Sequence, residues 1–203
     1  MTVRELTTEG RDALTELVVR GMVRGDVSPA LQESVDAGLA LQKGPLVMPA
    51  PHAAEIVGEW VRLDDEADRE VLLQAFYRFL PLNRSLRELC TAWQCLPGGA
   101  VNDHSDAGYD AGIRDQFDDA HEGITPVLRR AARSTPEFET YADRLQGALD
   151  TYDEGRPEYL ASPVIDSYHT VWMHIHQLFL LRLGITRADD EALEEKLVNG
   201  ETP

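Results

Sequence analysis

The sequence has little cysteine and little positive charge, and it lacks long hydrophobic runs. Cys90 and Cys95 are its only cysteines, so no disulfide framework organises the chain. Its 203 residues carry 19 Lys+Arg against 36 Asp+Glu, a formal net charge of −17. Phosphate backbones and anionic bilayers are held by clustered cations, so this balance argues against DNA, RNA and membrane surfaces as partners. No apolar stretch approaches the roughly 20 residues of a membrane span. The opening residues do not follow the basic-then-apolar order of a signal peptide, and the cytoplasm is the expected location.

Several chemical signatures are missing as well. There is no Gly-x-Gly-x-x-Gly run, no Walker phosphate loop and no Gly-x-Ser-x-Gly elbow. Any phosphoryl transfer would therefore need its nucleotide on another chain. A carboxylate-bridged metal bundle needs Glu-x-x-His pairs, and none occurs. Asp118-x-x-His121 and Asp166-x-x-His169 are the nearest matches, with the shorter Asp in place of Glu. His169 and His176 would lie about 10.5 Å apart along a helix, too far to share one ion. No metal site is expected.

What is present points to helices. Hydrophobic residues make up 43% of the chain, ample for a core. Thr8 can cap a first helix reaching Val23, with Leu14, Leu17, Val18 and Met22 as its apolar stripe. Ser28-Pro29 opens a second helix, expected to run past Val35 and Leu39 to about Lys43. Residues 46–49 read as a short extended piece, and Pro51 begins a third helix. That order suggests a winged-helix-like module over residues 1–63. Its would-be recognition helix carries Glu33 and Asp36 with a single cation, which favours packing or docking over reading DNA.

Residues 64–203 read as an acidic helical bundle of about six helices, with net charge −14 against −3 for residues 1–63. Pro81 is expected to end one helix, with Asn83 capping the next. Two helices are expected at about 108–122 and 125–133, and a loop over 154–163. The most apolar helix runs from Asp166 to Leu183 with Gly184 as its cap, and an acidic helix at 189–198 leads to a frayed end. The fold class is thus mainly all-α.

The most informative segment is residues 162–176. In a helix, Asp166 and His169 share a face one turn apart, and a carboxylate beside an imidazole makes a general base. Trp172 continues that face as an aromatic wall. A simpler reading has Asp166 capping the helix and His169 packed inside. A second polar cluster, Asn102-Asp103-His104-Ser105-Asp106, is either a surface turn or a functional loop on a rigid bundle. Arg144 is either an anion site or the ion-pair partner of Asp143 or Glu137. Cys90 reads as a core residue.

Two stretches carry a resemblance: Trp93-Gln94 followed by residues 102–106, and Asp166-Ser167-Tyr168-His169-Thr170-Val171-Trp172. They resemble a small-subunit or appended-domain family found in actinobacteria beside proteins similar to phosphoenolpyruvate synthase and pyruvate phosphate dikinase, with a MarR-like winged-helix start. The resemblance implies a large partner with ATP-grasp and swivelling phosphohistidine parts, on which ATP and Mg would be bound. This chain would bind no cofactor itself and would supply the site for a small hydroxylated, aromatic acceptor. Under that resemblance His169 is the base and Asp166 its orienter. Trp172 or Tyr168 flanks the ring, and His104, His121 and Arg144 are further contacts. The competing expectation is a MarR-like, ligand-responsive transcriptional regulator with a helical sensing domain.

Overall fold

A computed structural model describes residues 6–200, so the last part of the expected frayed end lies outside the described residues. Helix dominates, with nine α-helices and one three-stranded sheet among the described residues. The residues fall into two compact units. One holds the chain up to Leu63 together with His176–Thr186, and the other holds Asp64–Ile175 and resumes at Arg187.

In the first unit, α1 (Thr8–Arg20) is capped by Thr7, whose side chain accepts from the Gly10 N–H at 3.0 Å. The cap lies one residue earlier than the sequence suggests. Gly21, at φ 74°, ends α1, and the next residues form β1 (Val23–Arg24). Ser28 caps α2 (Pro29–Asp36). This helix is shorter than its apolar spacing predicts, because the chain turns at Gly38 (φ 73°) and residues 40–43 pair instead as β2 (Ala40–Lys43). β3 (Leu46–Pro49) lies between β1 and β2, antiparallel to both, with Val47 opposite Val23 and Gln42. α3 (Ala53–Val61) follows. Leu14, Leu17, Leu31, Val47 and Val57 are buried here.

The second unit begins with a correction. α4 (Glu66–Gln94) runs straight through Pro81, and Asn83 lies buried within it instead of capping a new helix. Pro removes one helical N–H and costs about 3 kcal/mol in a helix interior. Phe76, Phe79, Leu80 and Leu86 stay buried on both sides of it, and each buried side chain of that size contributes about 1.5–3 kcal/mol. Burial across the proline therefore outweighs the lost bond. The same happens in α5 (Ala107–Ala131), one helix across Pro126 where the sequence suggests two. There Ile124, Val127 and Leu128 are buried, and the Thr125 hydroxyl donates to the His121 carbonyl at 2.8 Å.

A 3-10 turn at Pro136–Phe138 leads into α6 (Glu139–Asp153), and the expected loop contains the single turn of α7 (Glu158–Ala161). α8 (Tyr168–Leu183) starts two residues later than expected, since Ser167 is the residue that caps it, accepting from the Thr170 N–H at 3.2 Å. Gly184 (φ 65°) closes α8, with the Ile185 N–H on the Leu180 carbonyl at 3.0 Å. α9 (Arg187–Val198) completes the chain. No helix among the described residues is long and apolar enough to cross a membrane.

Candidate functional site

One end of the second unit gathers polar side chains from three helices and a loop. After α4, Cys95 and Val101 pair across a tight turn in which Gly98 and Gly99 take φ 99° and 86°. The chain then reaches Asn102, whose N–H donates to the Gln94 carbonyl at 2.9 Å. Asp106 caps α5, accepting from the Gly108 and Tyr109 N–H groups at 3.0 Å, and the Tyr109 hydroxyl donates to the Ala92 carbonyl at 2.9 Å. The loop is thus tied to the end of α4 and the start of α5.

Within it, His104 holds φ 58°, and it is the only non-glycine residue at positive φ among the described residues. Residues with a Cβ adopt this conformation uncommonly, histidine more readily than most. Its ring lies 4.3 Å from the Trp93 ring. Its Nδ1 is 3.0 Å from Asp110 Oδ2 and 3.2 Å from Oδ1. The Asn102 amide is also 3.2 Å from that Nδ1, but its nitrogen lies nearer two oxygens, the Trp93 carbonyl at 3.1 Å and Asp110 Oδ1 at 2.9 Å. The carboxylate is the stronger acceptor, so Nδ1 carries the proton and donates to Asp110. In the neutral ring Nε2 then presents its lone pair. The imidazole is 39% exposed and Asp110 14%, so one member is open to a substrate and the other is sheltered. This is the arrangement of a general base with its orienting carboxylate.

Beyond Asp110 the cluster continues. Arg114 makes a two-pronged contact with Asp153, at 3.1 and 2.7 Å, and reaches Asp118 at 2.6 Å. Burial alone would loosen the Arg114 proton, but these hydrogen bonds outweigh it and the net shift is upward. Its guanidinium lies 5.7 Å from the Tyr152 ring, which meets the Trp93 ring edge-on at 5.7 Å. Burial, then the charge of Asp110, raises the Tyr152 hydroxyl pKa above its usual value.

No known family, curated protein or solved structure matches this chain. The site therefore rests on its own geometry.

The other sequence candidates fall into two further groups. Arg144, on α6, meets Asp166 at 3.1 Å and His174 Nδ1 at 3.2 Å, with its guanidinium 4.9 Å from the Tyr141 ring. A guanidinium only donates, so His174 is neutral there with its proton on Nε2. Asp166 lies in the turn before α8 and not on the helix, so the expected shared face with His169 does not form. His169 itself is half-buried, and burial lowers its pKa.

Tyr168, Trp172 and His121 form the third group. Tyr168 and Trp172 are fully buried, with ring centres 6.1 Å apart, and His121 lies 6.3 Å from Tyr168. The Trp172 Nε1–H donates to Asn83 Oδ1 at 3.1 Å. Asn83 in turn donates to Glu194 Oε1 at 3.0 Å, and Arg87 donates to Glu194 Oε2 at 2.7 Å. Trp172 is therefore a core anchor rather than a wall open to a substrate. Burial pushes the Tyr168 hydroxyl pKa up and that of His121 down.

Asp110, Arg114, Tyr152, Asp153 and His174 are among the residues that reading the sequence missed. Asp110 had one available signal, its place in the first turn of a helix capped four residues earlier by Asp106. His174 and Tyr152 had none.

Proposed function

We propose that this chain is the acceptor-side component of an ATP-dependent, dikinase-like phosphotransferase. In this reading it binds a small hydroxylated, aromatic molecule and takes the hydroxyl proton while a partner's phosphohistidine delivers the phosphoryl group. ATP and Mg belong to that large partner. The observation that supports the reading is the His104–Asp110 pair, with Nδ1 bonded to the carboxylate and Nε2 directed away from it. A phenol of pKa near 10 must lose its proton as the new P–O bond forms, and an imidazole held in this tautomer accepts it.

We place the base at His104 rather than His169. His104 has its carboxylate and is exposed, whereas Asp166 is engaged by Arg144 and burial disfavours the charged form of His169. The test is reconstitution with an ATP-grasp and phosphohistidine partner, ATP, Mg and phenol, following phosphorylated product. His104→Ala should lower turnover by about 10²–10⁴-fold with the complex intact, and His169→Ala should retain most of it. Normal turnover by His104→Ala would overturn the assignment.

A second reading has one specific observation in its favour. The order α1, β1, α2, β2, β3, α3 with a three-stranded antiparallel sheet has features in common with a winged helix, although a single helix lies between β1 and β2, and a MarR-like regulator would use such a module on DNA. The charges oppose this. α2 carries no cation, Glu33 accepts the Thr7 N–H at 2.9 Å, and Gln32 donates to Asp36 at 2.9 Å. We take the module as winged-helix-like and as a docking element. A shift of the protein's own promoter DNA at low salt would favour the regulator instead.

A further inference from the structure

We propose that Asn102 is the positioning residue of the His104–Asp110 pair, setting both the backbone and the tautomer of the histidine; the inference deepens the base assignment above. Asn102 is buried, at 5% exposure, in a loop whose neighbours Val101 and Asp103 face solvent. Both of its amide hydrogens and its amide oxygen are engaged by parts of the site. Its Oδ1 accepts the His104 N–H at 3.0 Å, closing the turn that holds His104 at φ 58°. Its Nδ2 donates to Asp110 Oδ1 at 2.9 Å and to the Trp93 carbonyl at 3.1 Å.

These bonds do three separate things. The first offsets the cost of a left-handed backbone at a residue with a Cβ, roughly 1–2 kcal/mol. The second fixes the carboxylate so that it faces Nδ1, which decides which ring nitrogen keeps the proton. The third satisfies a carbonyl in the last turn of α4, which has no partner within the helix, and so anchors the pair to a rigid element. An amide is required because it both donates and accepts. Aspartate at this position would offer only acceptors and would set a second negative charge beside Asp110.

The experiment is 15N NMR of the histidine rings at pH 8, where a neutral imidazole shows which nitrogen is protonated. In the wild-type chain His104 should show a protonated Nδ1 and a bare Nε2. In Asn102→Ala the signal should move toward the Nε2-protonated form or an average of the two. A wild-type His104 already protonated at Nε2 would overturn the proposal without any variant, as would Nδ1 protonation unchanged in Asn102→Ala. The readout needs no partner and no substrate. In the reconstituted reaction, Asn102→Ala should lower kcat about tenfold or more with little change in KM. If the NMR result holds and His104→Ala still turns over normally, the clamp stands and the base assignment fails.

Discussion

Trp172, on α8, donates its indole N–H to the Oδ1 of Asn83, a residue buried within α4 just past Pro81. This bond joins two helices at the centre of the larger unit. Asn83→Ala would leave the indole N–H without its acceptor and remove a donor from Glu194. An unsatisfied buried polar group costs about 1–3 kcal/mol, so Asn83→Ala should lower urea-denaturation stability by that order. Trp172→Phe removes the same bond, and the double variant should cost clearly less than the sum. Strict additivity would mean the bond contributes nothing.

The His104–Asp110 pair gives a graded series in the reconstituted reaction. General-base catalysis contributes typically 10²–10⁴-fold, so His104→Ala should lose about that factor in kcat. Asp110→Asn keeps the shape and removes the charge, and should lose less. Equal, small effects from both would place the chemistry elsewhere.

Cys90 is buried, and burial pushes its thiol pKa up to about 12. Nucleophilic reaction needs the thiolate. At pH 8 a disulfide reagent should label the half-exposed Cys95 first, and Cys90 should react only when urea unfolds the chain. Prompt native labelling of both thiols would contradict the packing around Cys90.

Burial lowers the pKa of His121 and of His169, so both are held neutral in the fold. Their folded pKa values lie below the unfolded value near 6.5, so the unfolded chain takes up protons first as the pH drops. The stability tied to these groups is complete above about pH 6.5 and is lost as pH falls through the folded values. Urea midpoints should therefore decline between pH 7.5 and pH 5. Replacing both histidines with Gln should flatten that decline; an unchanged slope would assign it to other groups.

Gly184 ends α8 at φ 65°, and a Cβ there would come 2.7 Å from Arg62 Cδ. The arginine side chain can shift, so the backbone conformation sets the cost. Gly184→Ala should destabilise by roughly 1–2 kcal/mol, with Gly184→Asn costing less because Asn tolerates this region better.

Punctuation was the most legible part of the sequence. Ser28-Pro29 opens α2 and Gly184 closes α8 as residue chemistry dictates. Proline misled in the larger unit, since Pro81 and Pro126 look like helix ends until the buried residues flanking them are weighed. Leu39 misled in the other direction: it continues the spacing of Leu31 and Val35, yet Gly38 turns the chain and Ala40–Lys43 pairs with β3. At the site, His104 was visible as a polar loop residue. Its partner Asp110 was not, because their meeting depends on a left-handed backbone at His104 that no residue type announces. Arg144, on α6, and Asp166, in the turn before α8, are 22 positions apart and are brought together by the fold rather than by local spacing.

The division of α8 between the two units bears on how the chain is made. His176–Thr186 belongs with the amino-terminal unit, where Arg182 donates to the Val61 carbonyl at 2.9 Å and accepts the Leu63 N–H at 2.9 Å. Domains ordinarily fold in the order in which they leave the ribosome. Here the amino-terminal unit lacks its last helical segment until residue 186 has been synthesised. A nascent chain arrested at residue 63 is therefore an incomplete unit that still awaits residues 176–186.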